Sequence, residues 1–528
     1  MVTVPFPQFE PDKNRFNNGA TPTIINARPV SDGWAPLPSF QPTVPNFELL
    51  TDEDGNILSI LDAGSVLIDG DGAPLDGPIQ LSEECRGAIF FRATDGSSII
   101  IAGTETKLYR FDTSSYIWVD ITRASGDYNV GVKERWSFTT FGNWIYAQNG
   151  TDTKQGYELG ASTLFDDVPV YDYDDPTITN AGPPVAKYTA TVSNFVMEGC
   201  LYENNEAVQW SAIENPEAGV IGYDGCDQQV FPDSGGVTGI IPVSTGAVVF
   251  CRRAIHTLNF ALTSEYVFTS QPINKYRGAI APYAICSIGQ DDFVWYAADG
   301  FFRSANQTPI GAERVNRWFR ERTSEVSREA MVATPDYARM IVWFRYQRSD
   351  GAFETLGYKW DLDLWCLSDA DMAMLFPAET PSVSIDGAAA LYQSIDDISE
   401  PFDSTRWDGG AQEYAGISSN GYMCFMNGAN QAVVVETNEM SLNGDSFAFV
   451  NGGRIDGDVV DFTARLDTTN YKGGAFETGN DLTPTPRTKR ISFRSSGRTH
   501  KAAVSVEAGT SWSIIRGIEL DVAGGGRK

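Results

Sequence analysis

The sequence predicts a mainly β protein with a β-propeller core of six or seven blades and a second β-rich region formed by the N-terminal arm and the C-terminal strands. One observation is a repeated hairpin: WIYAQNG (144–150) returns as VWYAADG (294–300), and each is an apolar strand that ends in Asn-Gly or Asp-Gly. Another is the spacing of related stretches, most of which recur after about 46 to 55 residues, the length of one blade of four short strands. The third is the composition of the two ends, which differs from that of the middle.

The repeated stretches run through the middle of the chain. An aromatic residue also precedes a turn in FFRATDG (90–96), VWFRYQRSDG (342–351) and MCFMNG (423–428), and weaker relatives lie at 195–210, 246–260 and 387–396. A large β-sandwich is the alternative, since its turns also recur, at about 8 to 12 residues and without a longer period. Tyr146 and Tyr296 favour the propeller because they occupy matching contexts three periods apart. Blade-to-blade packing is the expected role of Trp144, Tyr146, Trp295, Tyr296, Trp343 and Phe344.

Three regions follow from this pattern. Residues 1–84 are expected to form an extended Pro-rich arm followed by β-hairpins, because nine prolines among the first 50 residues exclude a helix or a central strand there. Residues 85–437 form the propeller, with a helical insertion near 311–328. Residues 438–528 form a C-terminal β-rich segment that packs with the arm, because neither end has enough apolar alternation to fold alone.

The helical insertion is amphipathic. Val315, Trp318 and Phe319 make an apolar stripe, and charged residues line the rest of the helix. The segment is interpreted as a solvated helix between blades or, alternatively, as a contact with another subunit through Arg317 and Arg320.

Charge is distributed unevenly along the chain. The net charge is −30, yet residues 485–528 hold nine Lys or Arg against three acidic residues, so the rest carries about −36. The basic segment is either a strand pair with a solvated face or a docking surface for an acidic partner or a second subunit. The docking interpretation selects Arg487, Lys489, Arg490 and Arg494. The acidic body disfavours tight DNA binding, because a protein that grips DNA neutralises phosphates with Lys and Arg.

Composition indicates a folded, soluble chain from a reducing compartment. Hydrophobic residues make up 42% and charged residues 20% of the chain. The longest apolar runs are far shorter than the roughly 18 residues of a membrane helix, and the N-terminus lacks a basic segment followed by an apolar one. The seven cysteines are scattered and form no C-x-x-C pair, which favours free thiols over disulfides or a zinc site.

No catalytic, cofactor-binding or metal-binding motif is visible in the sequence. His256 and His500 are the only histidines, which excludes a His-rich metal site and leaves few ways to build a Ser-His-Asp triad. Nucleophile-elbow, P-loop and dinucleotide-binding patterns are absent. We therefore expect no enzymatic activity and no cofactor, although the 69 carboxylates leave open a pair suited to glycoside hydrolysis.

Several stretches of the chain resemble one protein family. In the middle they are QWSAIENPE (209–217), FPDSGGVTGIIP (231–242), VVFCRRAIHTLNF (248–260), YRGAIAPYAIC (276–286), GQDDFVWYAADGFFR (289–303) and PIGAERVNRWF (309–319). At the ends they are NARPVSDGWAPLPSF (26–40) and AAVSVEAGTSWSIIRGIELDV (502–522). Together they resemble the tail hub, or nozzle, proteins of short-tailed bacteriophages, of the tail tubular protein B or packaged-DNA-stabilisation type, and the likeness covers most of the chain.

The resemblance implies a structural virion protein of a phage tail, assembled in the host cytoplasm and not inserted into a membrane. It implies a homo-oligomeric ring, a hexamer, below the portal and its adaptor, the head-to-tail connector. Such a ring extends the DNA channel, retains packaged DNA, lets genomic DNA pass without tight binding, and anchors tail fibres or spikes. The family brings no catalytic residues with it.

The short helical segment and the lack of a long insertion between the repeats depart from a far-projecting nozzle tip. Two alternatives to a hub remain open at this point. One is a tail-borne polysaccharide depolymerase with paired carboxylates, and the other is a receptor-binding adhesin.

Overall fold

A closed ring of seven blades, each built of four strands, makes up most of the molecule in the computed structural model. The structure describes residues 1–14, 16, 19–43, 78–94, 96–113, 116–174, 177–179, 181–261, 266–379 and 412–524. The hairpins predicted within 50–77 and the repeat at 387–396 lie outside the described residues.

The strands follow one another blade by blade after a series of short strands in the arm. The arm contributes β1 (Val2–Pro5), β2 (Gln8–Phe9), β3 (Ala20–Thr21), β4 (Thr23–Ile25), β5 (Ala27–Val30), β6 (Gly33–Pro36) and β7 (Gln41–Pro42). Blade 1 holds β8 (Gly87–Arg92), β9 (Ser98–Gly103), β10 (Leu108–Asp112) and β11 (Ile117–Asp120). Blade 2 holds β12 (Ser137–Phe141), β13 (Trp144–Gln148), β14 (Gln155–Glu158) and β15 (Asp166–Asp167).

The next three blades have the same order. Blade 3 holds β16 (Ala186–Val192), β17 (Phe195–Leu201), β18 (Ala207–Trp210) and β19 (Asp227–Val230). Blade 4 holds β20 (Val237–Val243), β21 (Gly246–Cys251), β22 (Ile255–Phe260) and β23 (Phe268–Asn274). Blade 5 holds β24 (Ile285–Ser287), β25 (Phe293–Ala297), β26 (Gly300–Arg303) and β27 (Thr308–Pro309).

Two helices precede the last blades, and C-terminal strands follow them. The helices are α1 (Asn316–Arg322) and α2 (Glu325–Glu329). Blade 6 holds β28 (Val332–Asp336), β29 (Ile341–Gln347), β30 (Phe353–Lys359) and β31 (Leu364–Ser368), and blade 7 begins with β32 (Met372–Glu379), β33 (Gln412–Ser418) and β34 (Met423–Phe425). The remaining strands are β35 (Val433–Glu436), β36 (Leu442–Asp445), β37 (Ala448–Gly457), β38 (Thr463–Thr469), β39 (Ser495–Gly497), β40 (Thr499–Val506) and β41 (Ile515–Gly524).

The first strand of each blade lies nearest the axis of the ring. From β8 to β28, each first strand contacts the first strand of the next blade, and β32 contacts β8, so the ring is closed. Residues of all seven first strands line one axial channel of about 280 Å³. The predicted propeller is therefore confirmed, with seven blades.

Blade 7 is closed by a strand from the other end of the chain. Its fourth strand is β7, in which Gln41 pairs with Phe425 and Pro42 pairs with Cys424. Proline is compatible with this position because an outermost strand has a free edge. The N-terminal arm therefore takes part in the propeller as well as in the second region.

Most of the repeated stretches contain the second strand of a blade, but FFRATDG (90–96) lies at the end of β8, a first strand, and MCFMNG (423–428) lies on β34, a third strand. In blades 1 to 6 the second strands begin at Ser98, Trp144, Phe195, Gly246, Phe293 and Ile341. Tyr146 of blade 2 and Tyr296 of blade 5 are buried, three blades apart as the sequence predicts. The aromatic contacts also cross blades, since Phe250 of blade 4 lies 5.6 Å from Trp295 and Phe301 of blade 5 lies 4.9 Å from Phe344, between ring centroids.

The two hairpins that first indicated the repeat differ in their turns. In blade 5 two residues join β25 to β26, and Gly300 has φ +136° with so little space that a Cβ would lie 2.0 Å from Asn316 Nδ2. In blade 2 the connection is longer, and Asn149 Oδ1 accepts hydrogen bonds from the backbone of Thr151 and Asp152, both at 2.9 Å. The turn dipeptide thus marks the end of the strand in both blades.

The second β-rich region interleaves the two ends of the chain. One sheet runs in the order β39-β37-β41-β6-β5 with β1 beside β41, so that Val2 pairs with Leu520 and Trp34 with Ile515. Four further strands extend blade 6, because β31 is followed by β4, β35, β40 and β38 in one eight-stranded sheet. Trp34, Leu520 and Trp343 belong to one hydrophobic core that joins this region to blade 6. The predicted second region, built from the arm and the C-terminal strands, is confirmed.

The helical insertion is two short helices instead of one. Thr323 has extended dihedral angles (φ −124°, ψ 143°) between α1 and α2, and its hydroxyl donates to the Phe319 carbonyl at 2.7 Å. The Ser324 side chain then accepts from the Ser327 backbone N–H at 3.1 Å and caps α2. Val315 and Phe319 of the predicted apolar stripe are fully buried. Ser and Thr compete for backbone hydrogen bonds, and this explains the break.

Candidate functional site

The predicted basic surface is a turn that projects from the second region. We call residues 485–490 the basic turn. It is held by Thr485, whose carbonyl accepts from the Lys489 backbone N–H at 2.8 Å and whose hydroxyl donates to the Arg490 carbonyl at 2.8 Å. Arg487, Lys489 and the nearby Arg494 are exposed, and in the described part of the chain no ion pair is formed by any of the three. These cations are available to a partner.

Other cations of the C-terminal segment are paired within the chain. Arg490 forms an ion pair with Asp521, Lys501 Nζ lies 2.8 Å from Glu436 Oε2, and Arg516 Nε lies 2.7 Å from Asp32 Oδ2. Part of the basic charge therefore stabilises the second region itself. Of the four residues predicted as an interface, Arg490 is the one already engaged.

Arg317 and Arg320 lie on α1, between blades 5 and 6, and contact other parts of the same chain. The Asp12 carboxylate accepts from the backbone N–H groups of Arg317 at 2.8 Å and Trp318 at 2.7 Å, and thus caps α1. Arg317 Nη2 donates to the Asp12 carbonyl at 2.7 Å, and Arg320 Nη2 donates to the Ala298 carbonyl at 2.9 Å. Both side chains keep an exposed surface. Their role as an interface stays a prediction.

The two histidines occupy different environments. His256 of blade 4 lies 3.2 Å from Ser234 Oγ, which is the geometry of a nucleophile and base, but in the described residues its ring donates no hydrogen bond to a carboxylate. His500 of β40 is completely buried, and neither ring nitrogen has a hydrogen-bond partner. Burial lowers the pKa of His500 to about 4. Within the described ranges no group of three metal-ligating side chains occurs.

An acidic pocket lies beside blades 6, 7 and 1. Its volume is about 190 Å³, and three carboxylates and three aromatic rings contribute to its wall: Asp336, Glu379, Glu413, Phe90, Tyr337 and Tyr414. Asp336 is bound to Arg339 Nη1 at 3.1 Å, and Glu379 forms an ion pair with Arg92. Aromatic faces beside carboxylates are a common way to bind a polar, ring-shaped ligand such as a sugar.

Glu413 is the least compensated group in this acidic pocket. Its Oε2 atom is buried without a hydrogen-bond partner, and the closest cation, Arg339 Nη2, lies 3.8 Å from it. Burial raises the pKa of Glu413, and the neighbouring Asp336 adds to this effect while Arg339 opposes it. A raised pKa keeps a carboxyl group protonated to a higher pH, which is the direction that a general acid needs.

Sequence reasoning missed the acidic pocket for a physical reason. Asp336, Glu379 and Glu413 lie on three different strands or their ends, and each is tens of residues from the next. Pairing of β32 with β33 brings Glu379 and Glu413 together, and the contact between blades 6 and 7 adds Asp336, so no local motif records the cluster. A pair of carboxylates was left open by the sequence, but its members were not identifiable.

Comparison with known proteins yields distant fold similarities. No family model matches the chain, and no curated protein matches it significantly. The extracellular domain of a hybrid two-component system from B. thetaiotaomicron covers 78% of this chain at a TM-score of 0.29 and 9% identity, and this chain spans 45% of that protein's length. A lectin from Aleuria aurantia covers 53% of this chain and is itself covered to 76%, at a TM-score of 0.25 and 10% identity. An exo-β-1,3-galactanase from Phanerochaete chrysosporium covers 87% of this chain and is covered to 99%, at a TM-score of 0.26 and 8% identity.

The galactanase corrects one expectation drawn from the sequence. We expected no enzymatic activity, and that expectation is wrong as stated, because a glycoside hydrolase is among the solved structures that align with most of the chain. These likenesses are too distant to assign a reaction or a ligand.

In the described part of the chain, neither helix has the length and the apolar composition to cross a membrane.

Proposed function

We propose that this chain is the subunit of a ring-shaped tail hub in a short-tailed bacteriophage. The observation that carries the proposal is the position in the fold of the sequence stretches that resemble tail hub proteins. Those of the middle run without a large gap from β18 to α1, including the links between blades 3 and 4 and between blades 4 and 5. Those of the two ends meet in one sheet, where Arg28 pairs with Ala35 and Trp34 with Ile515.

The DNA channel of such a hub would lie between subunits. The axial channel of the propeller measures about 280 Å³, a volume in the range of a small-molecule pocket, and cannot pass duplex DNA. A ring of subunits instead encloses a wider opening about its own symmetry axis. An acidic wall there would repel phosphates by several kT and let DNA slide.

Charge complementarity supports a ring of identical subunits. In a closed ring every subunit presents the same two unlike surfaces to its neighbours. The basic turn with Arg494 provides an exposed cationic surface, and the strongly acidic remainder of the chain provides the opposite one. The contact can therefore recur at one geometry around the ring. A hexamer, a portal-adaptor above it, and fibres or spikes attached to it complete the proposal.

Reversing the charge of the basic turn tests this proposal. The variant changes Arg487, Lys489 and Arg494 to Glu and leaves Arg490 in place, because Arg490 pairs with Asp521 in its own chain. We expect the concentration needed for half-assembly to rise about tenfold or more, while thermal unfolding of the isolated chain is unchanged. Mass photometry measures ring formation by the purified protein, and electron microscopy of phage particles measures its assembly into the tail.

A matched control separates a local effect from a change in net charge. Lys133, Arg253 and Lys275 are also exposed, and changing all three to Glu gives the same total charge. This control is expected to assemble like the unmodified protein. Normal rings from the basic-turn variant, or tight binding of duplex DNA by the unmodified protein at physiological salt, would count against the proposal.

The acidic pocket supports a second candidate, a polysaccharide depolymerase or a receptor-binding adhesin. In this candidate the proton donor is Glu413, whose raised pKa supports that role, and the second carboxylate that glycoside hydrolysis requires is Glu379 or Asp336. Reducing-sugar release from host capsular polysaccharide tests the enzyme. Glu413→Gln should abolish it, and the exposed control Glu203→Gln should not. Polysaccharide binding without sugar release, lost in Glu413→Gln, would indicate an adhesin. If the protein shows no sugar release and no binding, this second candidate is ruled out.

A further inference from the structure

Two arginines beside the axial channel of the propeller are only partly compensated by the rest of the chain. Arg135 lies two residues before β12 and lines the channel. Arg345 lies on β29, the second strand of blade 6, and pairs with Val332 of the first strand. Arg345 is 4% exposed. Neither residue belongs to the basic turn or to the acidic pocket, so the proposed functions do not use them.

Arg345 has one hydrogen-bond donor without an acceptor. Its Nε donates to the Met372 carbonyl at 3.0 Å, and its guanidinium carbon lies 3.7 Å from the ring centroid of Phe353. Its Nη2 atom is buried and makes no hydrogen bond, and the closest carboxylate oxygen, Glu84 Oε1, is 4.0 Å away. A buried donor without a partner is costly, and a charged one more so.

Arg135 is held by weak contacts. Its Nη2 donates to the Ala330 carbonyl at 3.4 Å, and its guanidinium carbon lies 6.0 Å from the ring centroid of Tyr283. In the described part of the chain Arg135 forms no ion pair. The guanidinium of Arg135 therefore retains donors that can turn toward the channel.

The surrounding charges do not neutralise this pair of arginines. Arg86, the third cation at this mouth of the channel, is satisfied, because it pairs with Glu105 at 2.6 Å and donates to the Val130 carbonyl at 2.6 Å. Glu84 is more than half exposed at its side chain, so water competes for it. Burial lowers the pKa of both arginines, and Arg135 further lowers that of Arg345, to about 9.

We propose that a small oxyanion of the phosphate or sulfate class binds at this mouth of the channel, between Arg135 and Arg345. The planar guanidinium presents paired N–H donors that match the oxygens of such an anion. The channel volume of about 280 Å³ admits the anion with its water and excludes a macromolecule. Arg345 Nη2 is closed off from the channel, whose wall Arg135 reaches, so the Arg345 guanidinium must turn toward Arg135 for the anion to accept from Nη2. Bound there, the anion offsets two like charges.

Thermal unfolding and calorimetry of the full chain test this site. Inorganic phosphate and sulfate are titrated against chloride at equal ionic strength. We expect a saturable rise in melting temperature with either oxyanion and heat of binding with phosphate. General salting effects of sulfate do not saturate, and this distinguishes them from occupation of a site.

Variants locate the binding. Arg135→Gln should weaken the apparent affinity for phosphate about tenfold or more, and Arg345→Met, which replaces the buried charge with an apolar chain, should do the same. Glu84→Gln should strengthen binding, because it removes the carboxylate that competes for Arg345. The exposed control Arg253→Gln should bind like the unmodified protein.

Two results would overturn the proposal. One is an equal response of the unmodified protein to phosphate and chloride, which would mean that Glu84 swings in and satisfies Arg345. The other is an unchanged phosphate response in Arg135→Gln. Because Arg135 is at the channel wall, its variant is decisive even if Arg345→Met fails to fold.

Discussion

The propeller and the second region assemble their sheets from very different distances along the chain. In the propeller, each of the first six blades uses four strands that follow one another directly in sequence. In the second region the partners come from opposite ends, so that Val2 faces Leu520 and Ile25 faces Val434. Blade 7 combines both modes, because its last strand is Gln41–Pro42. The arm thus couples closure of the ring to formation of the second region.

Two deletions of the N-terminal arm test this coupling, and we expect them to have the largest effect on folding of all the changes considered. Deleting residues 1–37 removes β1 to β6 and leaves β7, so we expect the C-terminal strands to lose their fold while the propeller stays closed. Deleting residues 1–43 also removes the fourth strand of blade 7 and should open the ring. Limited proteolysis with mass spectrometry reports which segments are protected. Equal protection of residues 438–524 in all three proteins would contradict the prediction.

The distance between paired strands along the chain also explains which parts of the fold the sequence predicts. The hairpins around Tyr146 and Tyr296 are local, so their spacing predicts the blades and their approximate length. The pairing of β7 with β34 leaves no local signal, and the same is true of Val433–Glu436, which follows the last blade in sequence but pairs with β4 and β40. Contacts between distant residues are set by the whole fold.

The candidate sites show the same limit. The sequence shows the basic turn because its three cations lie within four residues, 487–490, and whether it forms an interface stays a prediction. The acidic pocket and the Arg135–Arg345 pair were not visible, because their members come from different blades. The predicted single helix fails at Thr323 because one hydroxyl hydrogen bond, to Phe319, competes with the helical pattern.

Within the propeller, the contact between blades 2 and 3 includes a buried ion pair that should dominate local stability. Lys154 Nζ lies 2.7 Å from Glu198 Oε1 with both side chains at most 1% exposed, and it also lies 4.5 Å from the Tyr146 ring centroid. Lys154→Met leaves Glu198 buried without a cation and should cost about 3–5 kcal/mol in urea unfolding. The double variant Lys154→Met with Glu198→Leu should recover most of it.

An exposed pair provides the control for this effect. Lys107 Nζ lies 2.6 Å from Asp120 Oδ2, and both side chains are more than one third exposed. Lys107→Met should cost less than about 1 kcal/mol, because solvent screens the pair. Similar costs for the two lysine variants would show that burial does not set the strength of the interblade contact.

The second region should be the more acid-sensitive of the two, through His500. The pKa of this histidine is near 6.5 when unfolded and about 4 when folded, so between these values the unfolded chain binds a proton that the folded chain does not. Stability is therefore complete above pH 6.5 and falls as the pH drops toward 4, by up to about 3 kcal/mol. His500→Gln should remove most of this loss, and His256→Gln in blade 4 should retain it. Thermal unfolding between pH 7 and 4 measures both, and an unchanged pH profile in His500→Gln would contradict the assignment.

The smallest expected effect concerns the conformation of the basic turn. Lys489 has φ +53° and Arg494 has φ +51°, a region in which a side chain is unfavourable and glycine or asparagine is preferred. Because Lys and Arg are not the residues that favour this backbone conformation, we infer that they contribute through their charge and not by shaping the turn. We predict that Lys489→Gly changes the free energy of unfolding by less than about 1 kcal/mol, since relief of strain is offset by a more flexible unfolded chain, yet weakens ring assembly. Lys489→Gln keeps the Cβ and removes the charge, so it should weaken assembly equally. Mass photometry and thermal unfolding together separate the two effects, and rings as stable as those of the unmodified protein in both variants would remove Lys489 from the interface.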